Sequence, residues 1–211
     1  MAEKSTDETR KCVLIVEDDL ASGDLLRRLI DRLGFRTTGP AVDAVSAMEL
    51  VTSTPPDIAL VDVLLPDAVS GVALGRALGA RGIPVIFVTG HRDREVLAQV
   101  ADAKPYGLLL KPLDLYQLSV VLEAGLRRRA EELLARRCQD LSESERRFRA
   151  VFEQAGVGVN RQTVDGHFLE VNERFARMVG HEALQLIGRS YADITHPDDV
   201  AADRAALAKL L

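Results

Sequence analysis

Three acids in succession, Glu17, Asp18 and Asp19, close the apolar run CVLIV at 12–16. A fourth acid, Asp62, closes the run IALV at 58–61; a hydroxyl, Thr89, ends PVIFVT at 84–89; and Lys111, followed by Pro112, ends GLLL at 107–110. Taken singly, each has a bland explanation. An acid just after a strand is often a helix N-cap, and Asp18 or Asp19 fits that role. Brought together, the carboxylates would repel and raise one another's pKa. A hard divalent cation removes that cost: Mg²⁺ takes oxygen ligands at ~2.1 Å and keeps waters and phosphate oxygens in its shell. Such a site can present a carboxylate to an incoming phosphoryl group. The cation and an ammonium offset charge on the transferring oxygens, and the Thr89 hydroxyl can bond one of them. A Mg²⁺-dependent hydrolase is the competing chemistry, but no separate nucleophile or general base is visible.

For these groups to meet, the runs that carry them must lie side by side. The runs are continuously apolar rather than alternating, as in strands buried on both faces. A weaker strand candidate, Arg36–Ala41, sits between the first two. Amphipathic stretches of helical length separate them: Ala21–Leu33, Asp43–Ser53, Ser70–Ala80 and Arg92–Ala101. This alternation predicts an α/β fold, a doubly wound five-stranded parallel sheet with helices on both faces. Ligands bind such sheets outside the carboxyl ends of the strands, where all of these polar residues fall.

Composition narrows the function classes. The 211 residues suit one or two domains; 47% are hydrophobic but only 4% aromatic, with no Trp, so the core must be aliphatic. A net charge of −5 argues against a nucleic-acid-binding surface. No apolar run reaches the ~18 residues of a membrane span. The start, MAEKSTDETRK, has no signal-peptide core, so a cytoplasmic protein is expected. Cys12 and Cys138 lie far apart outside any CxxC spacing, and His167, His181 and His196 lack ligand spacing; packing and surface or turn roles are expected for them.

A further helix begins near Asp114 and meets no Pro before Phe152. Leu134, Cys138, Leu141, Glu145, Phe148 and Phe152 keep nearly heptad spacing, which predicts a coiled-coil seam and a homodimer through the 114–150 helix. The dense charges of 127–149 suit its exposed faces. Beyond it, Val157–Gln162 and His167–Val171 read as strands around the turn Asp165–Gly166. Asn172–Val179, Glu182–Ile187 and Val200–Leu211 read as helices.

The motifs VLIVEDD (13–19), LVDVLLP (60–66), VTG (88–90) and LLKP (109–112) occur in an order and spacing that resemble the receiver domain of two-component response regulators. The resemblance covers residues 11–127 and implies a flavodoxin-like fold and a phosphorelay function. It implies Glu17 and Asp18 as the metal-binding acidic pair, Asp62 as phosphoacceptor and Mg²⁺ ligand, and the Leu64 carbonyl as a further ligand. Thr89 would be the switch hydroxyl and Lys111 the phosphate-binding amine. A histidine kinase or phosphotransfer protein would be the partner, and slow hydrolysis of the phosphoryl group is expected. Two departures stand out. Leu108 occupies the position three before the lysine where the family often has an aromatic, with Tyr106 two residues earlier, and the loop after Asp62 looks one residue longer than usual.

Residues 143–211, from ESERRFRAVFEQAGVGV to HPDDV and the residues after it, resemble the first half of a PAS sensor domain. The chain ends before the three long strands that close such a domain, so a fragment of a longer protein is expected. The organisation read from the sequence is a disordered tail over 1–10, a receiver over 11–127, a helical linker over 128–147 and a partial PAS domain over 148–211. The alternative from a different class is a dimeric scaffold that signals by binding alone, without phosphate.

Overall fold

The structure, a computed structural model, describes residues 10–66, 70–90 and 92–200. Nearly all of the tail read over 1–10 and of the helix read over Val200–Leu211 lies outside the described residues, as do positions 67–69 of the loop after Asp62. The chain divides into two compact units, Met1–Ala135 and Arg136–Leu211.

In the first unit the continuous apolar runs form strands. β1 (Cys12–Val16), β3 (Ile58–Asp62) and β4 (Val85–Thr89) are buried at every residue. β2 (Arg36–Ala41) and β5 (Gly107–Leu110) are partly exposed, as befits edge strands. All pairings are parallel and the order is β2-β1-β3-β4-β5. Successive side chains leave opposite faces of the sheet, so each strand feeds two cores. On one face Val13, Ile15, Leu60, Ile86 and Leu109 meet Leu26 and Ile30 of α1 (Leu20–Arg32) and Leu118 and Leu122 of α5 (Leu115–Gln154). On the other, Leu14, Val61 and Phe87 meet Ala47 and Val51 of α2 (Ala44–Ser53), Leu74 and Leu78 of α3 (Gly71–Ala80) and Val100 of α4 (Arg94–Asp102). Continuous apolar runs are the signature of strands that feed two cores at once.

The helices start where side chains satisfy their first amides. Asp43 and Ser46 form a reciprocal capping box on α2, and Ser70 caps α3. Asp114 Oδ1 accepts from the Gln117 amide at 2.8 Å and opens α5. Gly125 lets α5 lie close to the sheet: a Cβ there would come 2.9 Å from Ile58 Cδ1. The helix runs on to Gln154, past the expected end of the linker at 147. Leu134, Leu141 and Phe148 are exposed along it. Phe152 is not part of that exposed stripe, a correction to the seam: it is buried, stacked on Phe148 with ring centroids 5.4 Å apart.

The second unit holds an antiparallel pair, β6 (Asn160–Gln162) and β7 (Phe168–Val171), with α6 (Glu173–Met178) and α7 (Ala183–Leu186) after it. Phe168, Val171, Ala176 and Leu186 make its core. Asn172, fully buried, uses its whole amide. Its oxygen accepts from the Val159 and Phe175 amides at 2.9 and 2.8 Å, and its nitrogen donates to the Phe152 and Val157 carbonyls at 2.9 and 3.0 Å. Among the described residues, no helix is long and apolar enough to cross a membrane.

One glycine tests the tightness of the first unit. Gly75 sits inside α3, where Ala would favour the helix by about 1 kcal/mol. A Cβ there overlaps Phe87 Cζ and lies 2.7 Å from Phe87 Cε1. Overpacking of this kind costs ~1–3 kcal/mol. Gly75→Ala is therefore expected to lower unfolding stability by up to about 2 kcal/mol in urea titration, and a gain in stability would show that the ring has room to move.

Candidate functional site

In the order β2-β1-β3-β4-β5 the chain turns back between β1 and β3, and the carboxyl ends of these two strands flank the crevice where such sheets bind ligands. β1 delivers Glu17 and Asp18 there, β3 delivers Asp62, β4 ends in Thr89 and β5 leads into Lys111. The neighbouring register is tight. Leu110 pairs with Thr89, and the Lys111 amide donates to the Thr89 carbonyl at 2.8 Å.

Lys111 joins the strands chemically. Its Nζ donates to Glu17 Oε2 at 2.7 Å, Glu17 Oε1 at 2.9 Å and Asp62 Oδ2 at 2.6 Å. Glu17 and Asp62 are buried, while the Lys111 side chain is 28% exposed. Burial pushes the Glu17 carboxyl above its ordinary range; the charges of Asp62 and Asp18 push the same way, and Lys111 offsets them only in part. Burial alone would lower the Lys111 pKa, but its hydrogen bonds to Asp62 and Glu17 outweigh that and raise it. The other oxygen of Asp62 accepts from the Leu64 amide at 2.9 Å, which holds the carboxylate in one orientation. Thr89 is fully buried at the end of its strand.

The three acids that follow β1 divide their roles. Asp19 is the N-cap of α1, accepting from the Ser22 amide at 3.0 Å and its hydroxyl at 2.6 Å. Glu17 and Asp18 are left for the site. Carboxylate oxygens of Glu17, Asp18 and Asp62 all lie within 4.8 Å of one another. These three negative charges less the one positive charge of Lys111 leave a formal −2, concentrated where water is scarce. An all-oxygen, doubly negative cluster with one exposed member fits a hard divalent cation such as Mg²⁺. Leu64, two residues past Asp62, is 46% exposed.

Sequence reasoning missed two features around the site. The bond between Lys111 and Glu17 spans 94 positions, and nothing in either residue's local context announces it. Tyr106, considered only as a displaced aromatic, is turned to other partners: its hydroxyl donates to Glu132 on α5, and the Arg128 guanidinium sits 4.5 Å from its ring centroid. Leu108 is 37% exposed on the edge strand. In the second unit His167 and His196 are exposed, and His196 lies 3.6 Å from Asp198.

Comparison with known proteins places these features. The family described as response regulator receiver domain matches residues 13–123, and the family described as PAS domain matches residues 146–210. The sensor histidine kinase TmoS of Ectopseudomonas mendocina is 24% identical over 229 aligned positions, covering 94% of this chain and 23% of that protein. The DNA-binding response regulator MtrA of Mycobacterium tuberculosis H37Rv is 30% identical over 129 positions, covering 60% of this chain and 55% of its own length. The chain thus spans about a quarter to a little over half of these relatives. Among solved structures, the signal receiver domain of a modulated diguanylate cyclase from Desulfovibrio desulfuricans G20 is 31% identical with a TM-score of 0.56, covering 58% of this chain and 98% of that one. The N-terminal domain of a response regulator/sensory box/GGDEF three-domain protein from Carboxydothermus hydrogenoformans is 26% identical with a TM-score of 0.54, covering 58% and 99%.

The raised Glu17 pKa has a measurable sign. An acid whose folded pKa lies above its unfolded one opposes folding at neutral pH, and the penalty fades as pH falls toward the ordinary glutamate value of 4.5. In chelator-treated buffer, the stability difference between the wild-type chain and Glu17→Gln should shift in favour of wild type as pH drops from neutral toward 4.5. Urea titrations across that window check it; a shift the other way would mean that the Lys111 pairing dominates.

Proposed function

The chain belongs to the family of response regulator receiver domains, and from that premise we propose that it is a phosphorelay module in which Asp62 accepts a phosphoryl group from a phosphohistidine of a histidine kinase or phosphotransfer protein. The observation that carries this reading is Lys111 Nζ, held at 2.6 Å from Asp62 Oδ2 and 2.7 Å from Glu17 Oε2 with Asp18 in reach. Glu17, Asp18, Asp62 and the Leu64 carbonyl would hold Mg²⁺. When bound, the cation neutralises charge on the transferring phosphoryl oxygens.

The remaining work falls to the chain's own groups. An Asp62 carboxylate oxygen bonds to phosphorus as the phosphorus–nitrogen bond of the donor breaks; the electron pair leaves with the imidazole, which takes a proton. Lys111 need only swing from the carboxylate to the new phosphoryl oxygens, since it already lies within hydrogen-bonding distance of the acceptor. The Leu64 amide steadies the carboxylate against rotation during attack. Transfer leaves the site with roughly one more negative charge and new acceptor oxygens. The Thr89 hydroxyl then bonds one of these oxygens and biases β4, β5 and α4 toward a second state. The long helix carries that bias to the PAS segment. A donor recharged by ATP fits a cytoplasmic setting.

The exposed apolar stripe of α5 gives a second element of the proposal. Leu134, Leu141 and Phe148 recur every seven residues, and all are exposed. Burying them against a second copy forms a homodimer. At tens of micromolar the wild-type chain should sediment as a dimer and Leu141→Asp as a monomer; a monomeric wild type would remove this part of the reading.

Labelling tests the chemistry. With radiolabelled phospho-kinase and Mg²⁺, the wild-type chain should acquire label that Asp62→Asn does not. Asp18→Asn should be labelled at least tenfold more slowly, because it removes one of the clustered carboxylates. Label that persists on Asp62→Asn sinks the assignment. A wild type that neither takes label nor binds beryllofluoride with Mg²⁺ would instead favour a scaffold that signals by binding alone.

A further inference from the structure

The first turns of α5 are held to the sheet by apolar side chains, and the attachment that follows is made of polar groups rather than apolar ones. Leu118 and Leu122 are fully buried against the sheet, and Gly125 lies against Ile58 and Ile86. One turn later the helix reaches the loop that feeds β5. Arg128 Cζ stands 4.5 Å from the Tyr106 ring centroid, and its Nη1 donates to the Pro105 carbonyl at 3.4 Å. Arg128 Nε donates to Glu132 Oε1 at 3.0 Å, and the Tyr106 hydroxyl donates to Glu132 Oε2. Glu132 thus closes a ring of contacts between one helical turn and one loop. Lys104, at the other side of that loop, takes a left-handed φ of 51°. Just past the ring, Leu133 and Leu134 are 40% and 63% exposed.

This ring lies at the far end of the strand that carries the site's ammonium. Tyr106 precedes β5 and Lys111 follows it, so four strand residues separate them. β5 is an edge strand, hydrogen-bonded to β4 alone, and α5 rests on it: a Cβ at Gly107 would come 2.5 Å from Val121 Cγ1. An edge strand shifts along its neighbour more readily than a central one, because only one ladder resists. Any shift of β5 that accompanies the swing of Lys111 toward a phosphoryl group would therefore reach Tyr106, whose amide donates to the Val85 carbonyl of β4 at 2.7 Å. The attachment at Tyr106 is also the kind that opens. Charged and aromatic contacts at a half-exposed surface are individually worth little, and each depends on geometry.

We propose that Tyr106, Arg128 and Glu132 form a latch that pins the last receiver turn of α5 to β5, and that occupancy of the Asp62 site opens it. The latch rests on the reading of Asp62 as phosphoacceptor. Closed, it fixes the rotational setting of the helix at Glu132. Open, it frees residues 128–135 from the loop while Leu118 and Leu122 stay buried.

Amide hydrogen exchange on the full chain, with and without beryllofluoride and Mg²⁺, tests it. In wild type, beryllofluoride should slow exchange around Asp62–Leu65 and speed exchange of residues 128–135 by about tenfold, the loss of roughly one charge-assisted hydrogen bond. Tyr106→Phe, which keeps the ring under Arg128 but loses the hydroxyl, should exchange rapidly at 128–135 before any ligand is added and respond little to it. Glu132→Gln, which cannot hold Arg128 by charge, should do the same in milder form. If Asp62–Leu65 responds in wild type while 128–135 does not, the ring is a static brace and the latch is overturned. If neither region responds, the phosphoacceptor reading itself fails and the latch falls with it.

Discussion

One ammonium group holds the acidic edge of this sheet together. Glu17, Asp18 and Asp62 arrive on two adjacent strands, and the β1–β3 register leaves them no room to part. Two of them are buried, where like charges repel most strongly. Lys111 answers both from a strand that touches neither of theirs. β4 lies between, and the pairing of Thr89 with Leu110 and the bond from the Lys111 amide to the Thr89 carbonyl fix where β5 ends. The compensation is incomplete: a formal −2 remains, a charge that suits the divalent cation of the proposed reading.

Most of this was legible in the sequence because it is written in short-range terms. Runs buried on both faces are apolar without interruption, so β1, β3 and β4 could be read directly. The polar residues that end them are conspicuous because the runs stop there. Even β2, with its Gly-Pro, lay within the range expected. What could not be read is long-range or reciprocal. Asp18 and Asp19 are the same residue type side by side, and only the Ser22 hydroxyl and amide decide that Asp19 caps a helix. Phe152 fits a heptad as well as Phe148 does. Spacing carries no knowledge that the chain returns with Asn172, which takes the Phe152 carbonyl and helps bury that turn.

Asn172 is to the second unit what Lys111 is to the first. It sits between β7 and α6, and it ties both to the end of α5 and to the entry of β6 through four hydrogen bonds. A buried amide of this kind is costly unless every donor and acceptor is matched, and here every one is. The result is a small unit whose core is only a few apolar residues but whose chain path is dictated by one polar side chain. Sequence reading placed Asn172 correctly as a helix start, which is half of its role. The other half needs partners 13 to 20 positions away.

The two units share a single helix, so whatever passes between them along the backbone passes through α5. That makes the kind of contact at each point on α5 decisive. Where Leu118 and Leu122 bind it, release would expose apolar surface at about 1.5–3 kcal/mol per side chain, and a small change in the site has no such energy to spend. At Arg128 and Glu132 the contacts are polar and reach solvent, so water can replace them at little cost. A helix held by apolar side chains over its first turns and by a polar ring at its last has one natural place to yield. Leu108 stands three residues before the lysine, and the aromatic two positions earlier, Tyr106, meets Arg128 and Glu132 at that polar ring.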